Sequence, residues 1–272
     1  MDKEEDIDIF LENFPVFKTK KTILIFVYHF IIFLFIMISL WLIRSNFWIA
    51  APLAQFLVTL CANVPLIYVL INFDRIRAKY LQRYENYPWQ HFLFHYSFTS
   101  PFGASALYFP ILLINYDFLP PSIRLPSNFM TNNLFPLYVS IPLGIIVILF
   151  GLLLDKPAGD YDRDRDLYIY MIYPYKSRIF KEGIYQYIRH PRLLLRYTVS
   201  FGIALAVNNL LAISVSFIHF IPYAVYVYTV DNELIRRFGD EFKSYKEKVP
   251  ALIPRCGNWK KFIKLIIFRK KI

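Results

Sequence analysis

Cysteine is nearly absent from this sequence, and so is any pattern typical of a metal site. Cys61 and Cys256 are the only cysteines in 272 residues, and two isolated cysteines support neither a disulfide framework nor a zinc site. Acidic residues cluster between Asp160 and Asp166, but arginines alternate with them, so a solvated charged loop is expected instead of a divalent cation site. Four histidines are scattered without metal-ligand spacing: His29, His91, His95 and His219. The sequence predicts no bound metal.

The motifs of nucleic-acid-binding proteins and of cleavable signal peptides are also missing. The net charge of +11 comes from basic residues that flank apolar runs, whereas nucleic-acid-binding proteins interleave them with aromatic residues. We therefore expect contact with anionic lipid headgroups and no nucleic-acid partner. The chain opens with several acidic residues, and its first apolar run, Thr22–Ile43, is longer than the apolar core of a signal peptide. This segment is expected to stay attached.

Apolar residues are abundant. Hydrophobic residues make up 57% of the sequence and aromatic residues 19%, and the mean hydropathy is +0.39, which is too apolar for an ordinary soluble domain. We predict an all-α polytopic membrane protein, because apolar runs of about 20 residues cross the hydrocarbon core as helices. About six transmembrane helices are predicted: Thr22–Ile43, Phe47–Ile71, one within His91–Leu119 centred on Gly103–Phe118, Leu134–Leu154, Leu193–Val207 and Leu210–Val230.

The loops between these helices differ in basic residues. On one side Arg44 and Arg124 are the only loop cations, so the positive-inside rule places both termini in the cytoplasm. Arg44–Asn46 is then a short outside turn, and Asn208–Asn209 joins the last two helices into a hairpin. Residues 1–154 form an N-terminal membrane region, and residues 155–272 contain an interfacial segment, the hairpin and a basic tail. A bacterial cytoplasmic membrane and the endoplasmic reticulum fit this multi-pass topology equally.

The basic tail has its own pattern. Lysines alternate there with apolar residues, among them Phe262, Leu265 and Ile266. This spacing predicts an amphipathic helix that lies on anionic lipid.

One motif stands directly before the predicted helix Leu193–Val207. It reads Gly-Ile-Tyr-Gln-Tyr-Ile-Arg-His-Pro, from Gly183 to Pro191. Proline is tolerated in the first turn of a helix, where its missing N–H would have no intrahelical partner, so Pro191 is expected to begin the helix. The free N–H groups that follow make a positive helix end that favours a carboxylate or a phosphate. Together with Arg189 and His190, this end predicts a pocket for an anionic group.

Two further segments accompany this motif. The hairpin contains Gly202, Leu205 and Asn208, and after it comes Phe-Gly-Asp-Glu-Phe-Lys-Ser-Tyr-Lys-Glu-Lys-Val-Pro, from Phe238 to Pro250. In order and spacing, the three segments resemble the C-terminal half of the isoprenylcysteine carboxyl methyltransferase superfamily, which includes phospholipid methyltransferases. The resemblance implies a helical hairpin with a cytoplasmic cofactor site. It also implies an enzyme that uses S-adenosylmethionine to methylate a lipid or a lipid-modified, isoprenylcysteine-like acceptor.

The resemblance implies roles for individual residues as well. Arg189 and His190 are the expected catalytic residues, since they would hold the carboxylate of S-adenosylmethionine and His190 would serve as base for an amine or thiol acceptor. Asp231 would accept from the ribose hydroxyls or the ammonium, and tyrosine rings would face the sulfonium through cation–π attraction. The full expected cofactor-binding set is Tyr185, Tyr187, Arg189, His190, Pro191, Asp231 and Glu233.

Other interpretations stay open. Val230 stands where the superfamily has an acidic residue, and Leu193 and Leu195 stand where it usually has tyrosine and glycine. These differences favour a non-catalytic membrane protein that retains the helical scaffold. An NADPH-dependent membrane sterol reductase is a third interpretation, because that group has a related C-terminal architecture. Arg189 also fits a basic belt for phosphate headgroups.

Overall fold

The computed structural model describes residues 20–83, 99–159 and 178–268, and the regular structure within these ranges is helical. No β-strand forms in them; a single isolated bridge joins Asn133 and Asn209. The acidic cluster Asp160–Asp166, most of the interfacial segment, His91 and His95 lie outside the described residues.

The helices fall into two groups along the chain. The first group is α1 (Lys20–Phe47), α2 (Ala51–Ile71), α3 (Phe73–Arg83), α4 (Thr99–Tyr108), α5 (Leu137–Leu153) and α6 (Asp155–Gly159). The second group is α7 (Pro191–Val207), α8 (Leu210–Ile218), α9 (Phe220–Phe238), α10 (Asp240–Lys248) and α11 (Trp259–Phe268). Short 3-10 turns occur at Trp48–Ala50, Phe109–Leu113, Pro121–Ile123, Gly183–Gln186 and Cys256–Asn258.

Two helical stretches are long and apolar enough to cross a membrane. Val27–Ile71 spans 45 residues of α1 and α2, and Leu210–Phe238 spans 29 residues of α8 and α9. Helix α5 is apolar but shorter. Large apolar side chains remain on the surface, with Phe35 70% and Ile146 62% exposed, and a surface rich in such residues favours lipid over water. The length and apolar composition of the two stretches favour a membrane protein.

Helices α5 and α7 pack against each other closely at glycine positions. A Cβ atom on Gly144 would lie 2.6 Å from the carbonyl oxygen of Gly202, and one on Gly202 would lie 2.8 Å from that of Gly144. Small residues allow this approach of two backbones, which drives helix association in lipid. Beside the contact, the largest buried cluster joins α1, α2, α7 and α8 through Ile36, Leu40, Ala51, Ala54, Val199, Ile203, Val207, Leu211 and Val215.

Helix α1 continues through Arg44–Asn46, so the predicted outside turn at these residues is wrong. Ser45 and Asn46 donate to the carbonyl oxygens of Trp41 and Leu42, each at 2.9 Å, which satisfies their polar groups within the helix. Arg44 is buried, and its Nη2 donates to the carbonyl oxygen of Ile114 at 3.1 Å. The chain leaves helical geometry only at Phe47, with φ −140° and ψ 49°.

The third predicted span is shorter than expected at its C-terminal end. Helix α4 gives way to the 3-10 turn Phe109–Leu113, where Pro110 has no N–H to continue the α-helical ladder. The residues that follow form a loop, in which Nδ2 of Asn115 donates to the carbonyl oxygen of Thr131 at 3.0 Å. The prediction of a helix to Phe118 is therefore wrong beyond Leu113.

The turn between α7 and α8 forms at the two asparagines, as predicted. Asn208 adopts a left-handed conformation with φ 68°, which asparagine tolerates better than most residues. Its side chain exchanges hydrogen bonds with the backbone of Phe135, at 3.0 Å and 2.6 Å. Asn209 caps α8, because its Oδ1 accepts from the N–H of Ala212 at 2.8 Å.

The last predicted span is interrupted and then runs further than expected. It breaks at His219 between α8 and α9, next to Pro222, which lacks the N–H that would bond to Ile218. No further helix breaker occurs before Gly239, whose φ is 56°, so α9 passes the predicted end at Val230. Asp231 therefore lies inside α9 and not beyond it.

Helix α11 is amphipathic, but its apolar face covers protein. Phe262 and Ile266 are buried in a cluster with Leu154, Ile184 and Ile188. The lysines of the described part of α11 are exposed: Lys260, Lys261 and Lys264. Phe262 and Ile266 therefore pack on the protein itself, and the contact of this tail with anionic lipid stays a prediction.

Candidate functional site

The predicted motif lies at the start of α7. Gly183 has a φ of 57°, which favours glycine, and opens the 3-10 turn Gly183–Gln186. Pro191 is buried and is the first residue of α7. The N–H groups of Leu193 and Leu194 both donate to the carbonyl oxygen of His190, each at 3.2 Å. These two donors are thus satisfied within the turn, and the free positive helix end is smaller than the sequence suggests.

A returning segment of the chain holds this motif through its backbone. The N–H of Arg189 donates to the carbonyl oxygen of Pro250 at 3.0 Å, and that of His190 to Ala251 at 2.9 Å. The hydroxyl of Tyr245 in α10 donates to the carbonyl oxygen of Tyr185 at 2.7 Å. Burial raises the pKa of Tyr245 above its usual range, so the hydroxyl stays protonated as a donor.

Asp231 of α9 is the centre of the site. Its Oδ2 accepts from Nη2 of Arg189 at 2.7 Å and lies 3.3 Å from Nζ of Lys246, and its Oδ1 lies 3.0 Å from Nε2 of His190. We call these four residues the Asp231 cluster. The side chains of Asp231 and Arg189 are 4% and 8% exposed, so their ion pair is removed from water. The cluster thereby joins two parts of the chain to α9: the start of α7 and the last turn of α10.

Arg189 makes further contacts through the rest of its guanidinium group. Its Nη1 donates to the carbonyl oxygen of Lys246 at 3.1 Å and also to that of Val249. Its Nε is buried and has no hydrogen-bond partner among the residues that the structure describes. One buried donor of this arginine is therefore available to an acceptor on a ligand.

The two predicted tyrosines pack on neighbouring aromatic rings. The ring of Tyr185 lies 6.0 Å from that of Phe180, and the ring of Tyr187 lies 5.9 Å, edge to face, from that of Phe262. Both rings belong to the apolar packing beneath α11. The structure thus brings together Arg189, His190 and Asp231, but it gives the tyrosine rings a packing role.

Glu233, the other predicted acidic residue of the site, pairs with arginines of its own helix. It is buried in α9 and faces Arg237 one turn later, with Nε of Arg237 3.3 Å from Oε1. Nη2 of Arg236 lies 3.9 Å from the same oxygen. Glu233 thus pairs with the end of its own helix.

Lys246 is the member of the cluster that sequence reasoning missed. It lies in α10, inside the segment Phe238–Pro250 that carries the resemblance, and fifteen residues from Asp231 in the chain. The two helices meet through the turn at Gly239, so the spacing of residues along one helix does not predict this contact. The only sequence feature that pointed to Lys246 was its place within a segment of the resemblance.

The chemistry of the Asp231 cluster is that of anion and cation recognition. One carboxylate faces an arginine, a lysine and an imidazole, and a spare Arg189 donor remains. No group of three or more His, Cys, Asp or Glu residues is placed to hold a metal ion in residues 20–83, 99–159 and 178–268. The chain matches no family model, no curated protein and no solved structure.

Proposed function

We propose that this protein is an integral-membrane methyltransferase that uses S-adenosylmethionine and acts on a lipid or lipid-modified acceptor at the cytoplasmic face. The supporting observation is the Asp231 cluster. Arg189 and His190 come from one segment of the resemblance, Asp231 lies in α9, and Lys246 comes from another segment, yet their side chains meet within 2.7 to 3.3 Å. Convergence of these segments is what a shared cofactor site requires.

The donor set of the cluster fits S-adenosylmethionine in its polar parts. The spare Nε of Arg189 is a donor for a carboxylate, and Asp231 is an acceptor for an ammonium or for hydroxyls. When bound, S-adenosylmethionine supplies an electrophilic methyl group. The sulfonium would need an aromatic partner other than Tyr185 or Tyr187, because both of those rings are already packed on neighbouring rings.

His190 has the geometry of an oriented base. Its Nε2 lies 3.0 Å from Oδ1 of Asp231. An ionised carboxylate only accepts, so Nε2 carries the proton and Nδ1 is the basic nitrogen of the ring. A carboxylate acceptor would need no base, whereas an amine or a thiol would give its proton to Nδ1.

The bonds within the Asp231 cluster also support a second candidate function. Asp231 has three partners, and Arg189 also binds two backbone carbonyl groups of the segment 246–249. Such a set of bonds equally serves to clamp α9 onto this segment in a non-catalytic membrane protein. The two functions differ in one property, which is affinity for S-adenosylmethionine.

Calorimetry on the full chain in detergent separates them. We expect saturable binding of S-adenosylmethionine, lost in His190→Ala and in Asp231→Ala. Glu241→Gln is the matched control, because Glu241 is exposed and pairs with Lys181 away from the cluster. Absence of binding to a monodisperse sample would leave the scaffold function, and binding of NADPH alone would point to the reductase.

We also infer that the chain spans the membrane about six times with both termini in the cytoplasm. Two helical stretches, Val27–Ile71 and Leu210–Phe238, support this inference by their length and apolar composition. Cys61 and Cys256 are both exposed. In a Cys61→Ala variant, we expect a membrane-impermeant maleimide to label Cys256 only in inverted or permeabilised membranes. Labelling from the outside of sealed cells would contradict the topology.

A further inference from the structure

Helices α5 and α7 are too short to cross the hydrocarbon core by themselves. Each has 17 residues, which extend over about 25 Å, whereas the core is about 30 Å thick. Charge fixes one end of this antiparallel pair at the membrane surface, because exposed Asp155 follows α5 and Arg189 precedes α7 by two residues. The opposite ends, at Leu137 and Val207, therefore stop about 5 Å short of the far headgroup boundary.

Residues 114–136, which we call the 114–136 loop, lie at these opposite ends. Hydrogen bonds tie the loop to the turn between α7 and α8 at three places: Tyr116 to Ala206, Met130 to Leu211 and Phe135 to Asn208. The three partners all come from residues 206–211, on either side of the turn. The loop is therefore held at the level where α7 ends.

Exposed phenylalanines lie beside the three places where the loop is tied. Phe118, Phe129 and Phe135 are 72%, 78% and 50% exposed. The 114–136 loop has two charged residues, Asp117 and Arg124. Large exposed apolar side chains with so few charges are unfavourable in water, whereas aromatic rings are enriched where a membrane meets water.

The backbone of the loop is prepared for an environment poor in water. Ten of the fourteen backbone N–H groups between Leu119 and Phe135 donate to acceptors within the protein, and three prolines in this range carry no N–H. The ten donors belong to Leu119, Ile123, Arg124, Leu125, Asn128, Met130, Thr131, Asn132, Leu134 and Phe135. Irregular backbone enters lipid at high cost unless the protein itself satisfies its polar groups, so this cost is largely removed.

We propose that the 114–136 loop lies at the boundary of headgroups and acyl chains, in the leaflet opposite the Asp231 cluster, with its exposed phenylalanine rings among the acyl chains. This position rests on the proposed membrane spans of α5 and α7, and it makes up the length that these helices lack. Lipid is the partner because the exposed apolar surface of the loop continues into α5, where Tyr138 and Ile146 are 80% and 62% exposed. The turn between α7 and α8 then lies below the membrane surface.

Spin-label accessibility in vesicles of dioleoylphosphatidylcholine tests this position. Single-cysteine variants of the full chain, Phe118→Cys and Phe129→Cys, are made with Cys61 and Cys256 replaced by alanine. Both positions are exposed, so the label should not disturb folding. We expect the two labels to collide more often with oxygen, which is enriched in lipid, than with a water-soluble nickel complex. Their depth should lie within about 10 Å of the phosphates.

Two reference variants separate this inference from the proposed spans. Ile146→Cys should report the acyl interior, and Glu241→Cys, whose side chain is 61% exposed, should report water. Loop labels that behave like Glu241→Cys, while Ile146→Cys reports lipid, would overturn the loop position and leave the spans intact. A water-like Ile146→Cys would overturn the spans as well. Loop labels shielded from both reagents would also overturn the proposal and indicate contact with a second copy of the chain.

Discussion

The ion pair between Arg189 and Asp231 makes a quantitative prediction for Asp231→Asn. Asparagine keeps the shape of the side chain and removes the charge that faces Arg189 at 2.7 Å. Both side chains are less than one tenth exposed, so the guanidinium would stay buried without a counter-charge. Removal of one partner from a buried ion pair costs about 3–5 kcal/mol. Lys246 is 33% exposed, and its lost contact adds only about 0.2–1 kcal/mol.

Thermal unfolding in detergent, followed by loss of the monodisperse peak in size-exclusion chromatography, measures this effect. At about 2–4 °C per kcal/mol for a chain of this size, Asp231→Asn should lower the Tm by on the order of 10 °C. Asp240→Asn is the control, because its ion pair with Lys243 is exposed to water. It should unfold at the temperature of the unaltered protein.

A double replacement separates the loss of charge from the loss of a well-packed residue. Arg189→Met combined with Asp231→Leu removes both charges, and apolar substitution of a complete buried ion pair is often neutral or stabilising. It should therefore recover part of the lost Tm. A Tm of Asp231→Asn within 2 °C of the unaltered protein would refute the closed ion pair. A double variant as unstable as the single one would show that packing dominates over charge.

Three further predictions concern the scaffold. Gly144→Val should abolish the folded monomer, because even its Cβ would lie 2.6 Å from the carbonyl oxygen of Gly202. Gly257→Val is the control, since a Cβ there meets nothing within 4 Å. It should leave expression and the chromatographic profile unchanged. Asn208→Ala should lower the Tm more than Asn208→Gly does, since both lose the bonds to Phe135 but only alanine adds about 1–2 kcal/mol for the left-handed conformation; equal Tm values would contradict this. Phe262→Ala should cost about 3–5 kcal/mol because the ring is fully buried, while Lys261→Ala should leave the Tm unchanged.

The sequence predicted helix ends and turns correctly where a single residue type, such as proline or asparagine, determines the local backbone. Pro191 begins α7, and Asn208 with Asn209 forms the turn before α8. The sequence prediction was wrong where contacts with distant residues determine whether a polar segment stays helical. Arg-Ser-Asn at residues 44–46 is polar enough for a loop, but the side chains bond within α1 and Arg44 is buried against Ile114.

The candidate site was predictable only in part for the same reason. The resemblance implies roles for Arg189, His190 and Asp231, which the structure brings together. The contact with Lys246 depends on the turn between α9 and α10, and the packing of Tyr187 on Phe262 depends on α11. A sequence pattern records neither of these long-range contacts.

The bonds between the motif and residues 246–251 also set an order of events during synthesis. Because the chain is made from its N-terminus, Arg189 and Asp231 are made before Lys246, Val249 and Pro250. The nascent site is therefore open until the ribosome has passed this last segment. A chain that ends before residue 246 lacks the carbonyl groups that bond Arg189 and His190, so it cannot complete the site.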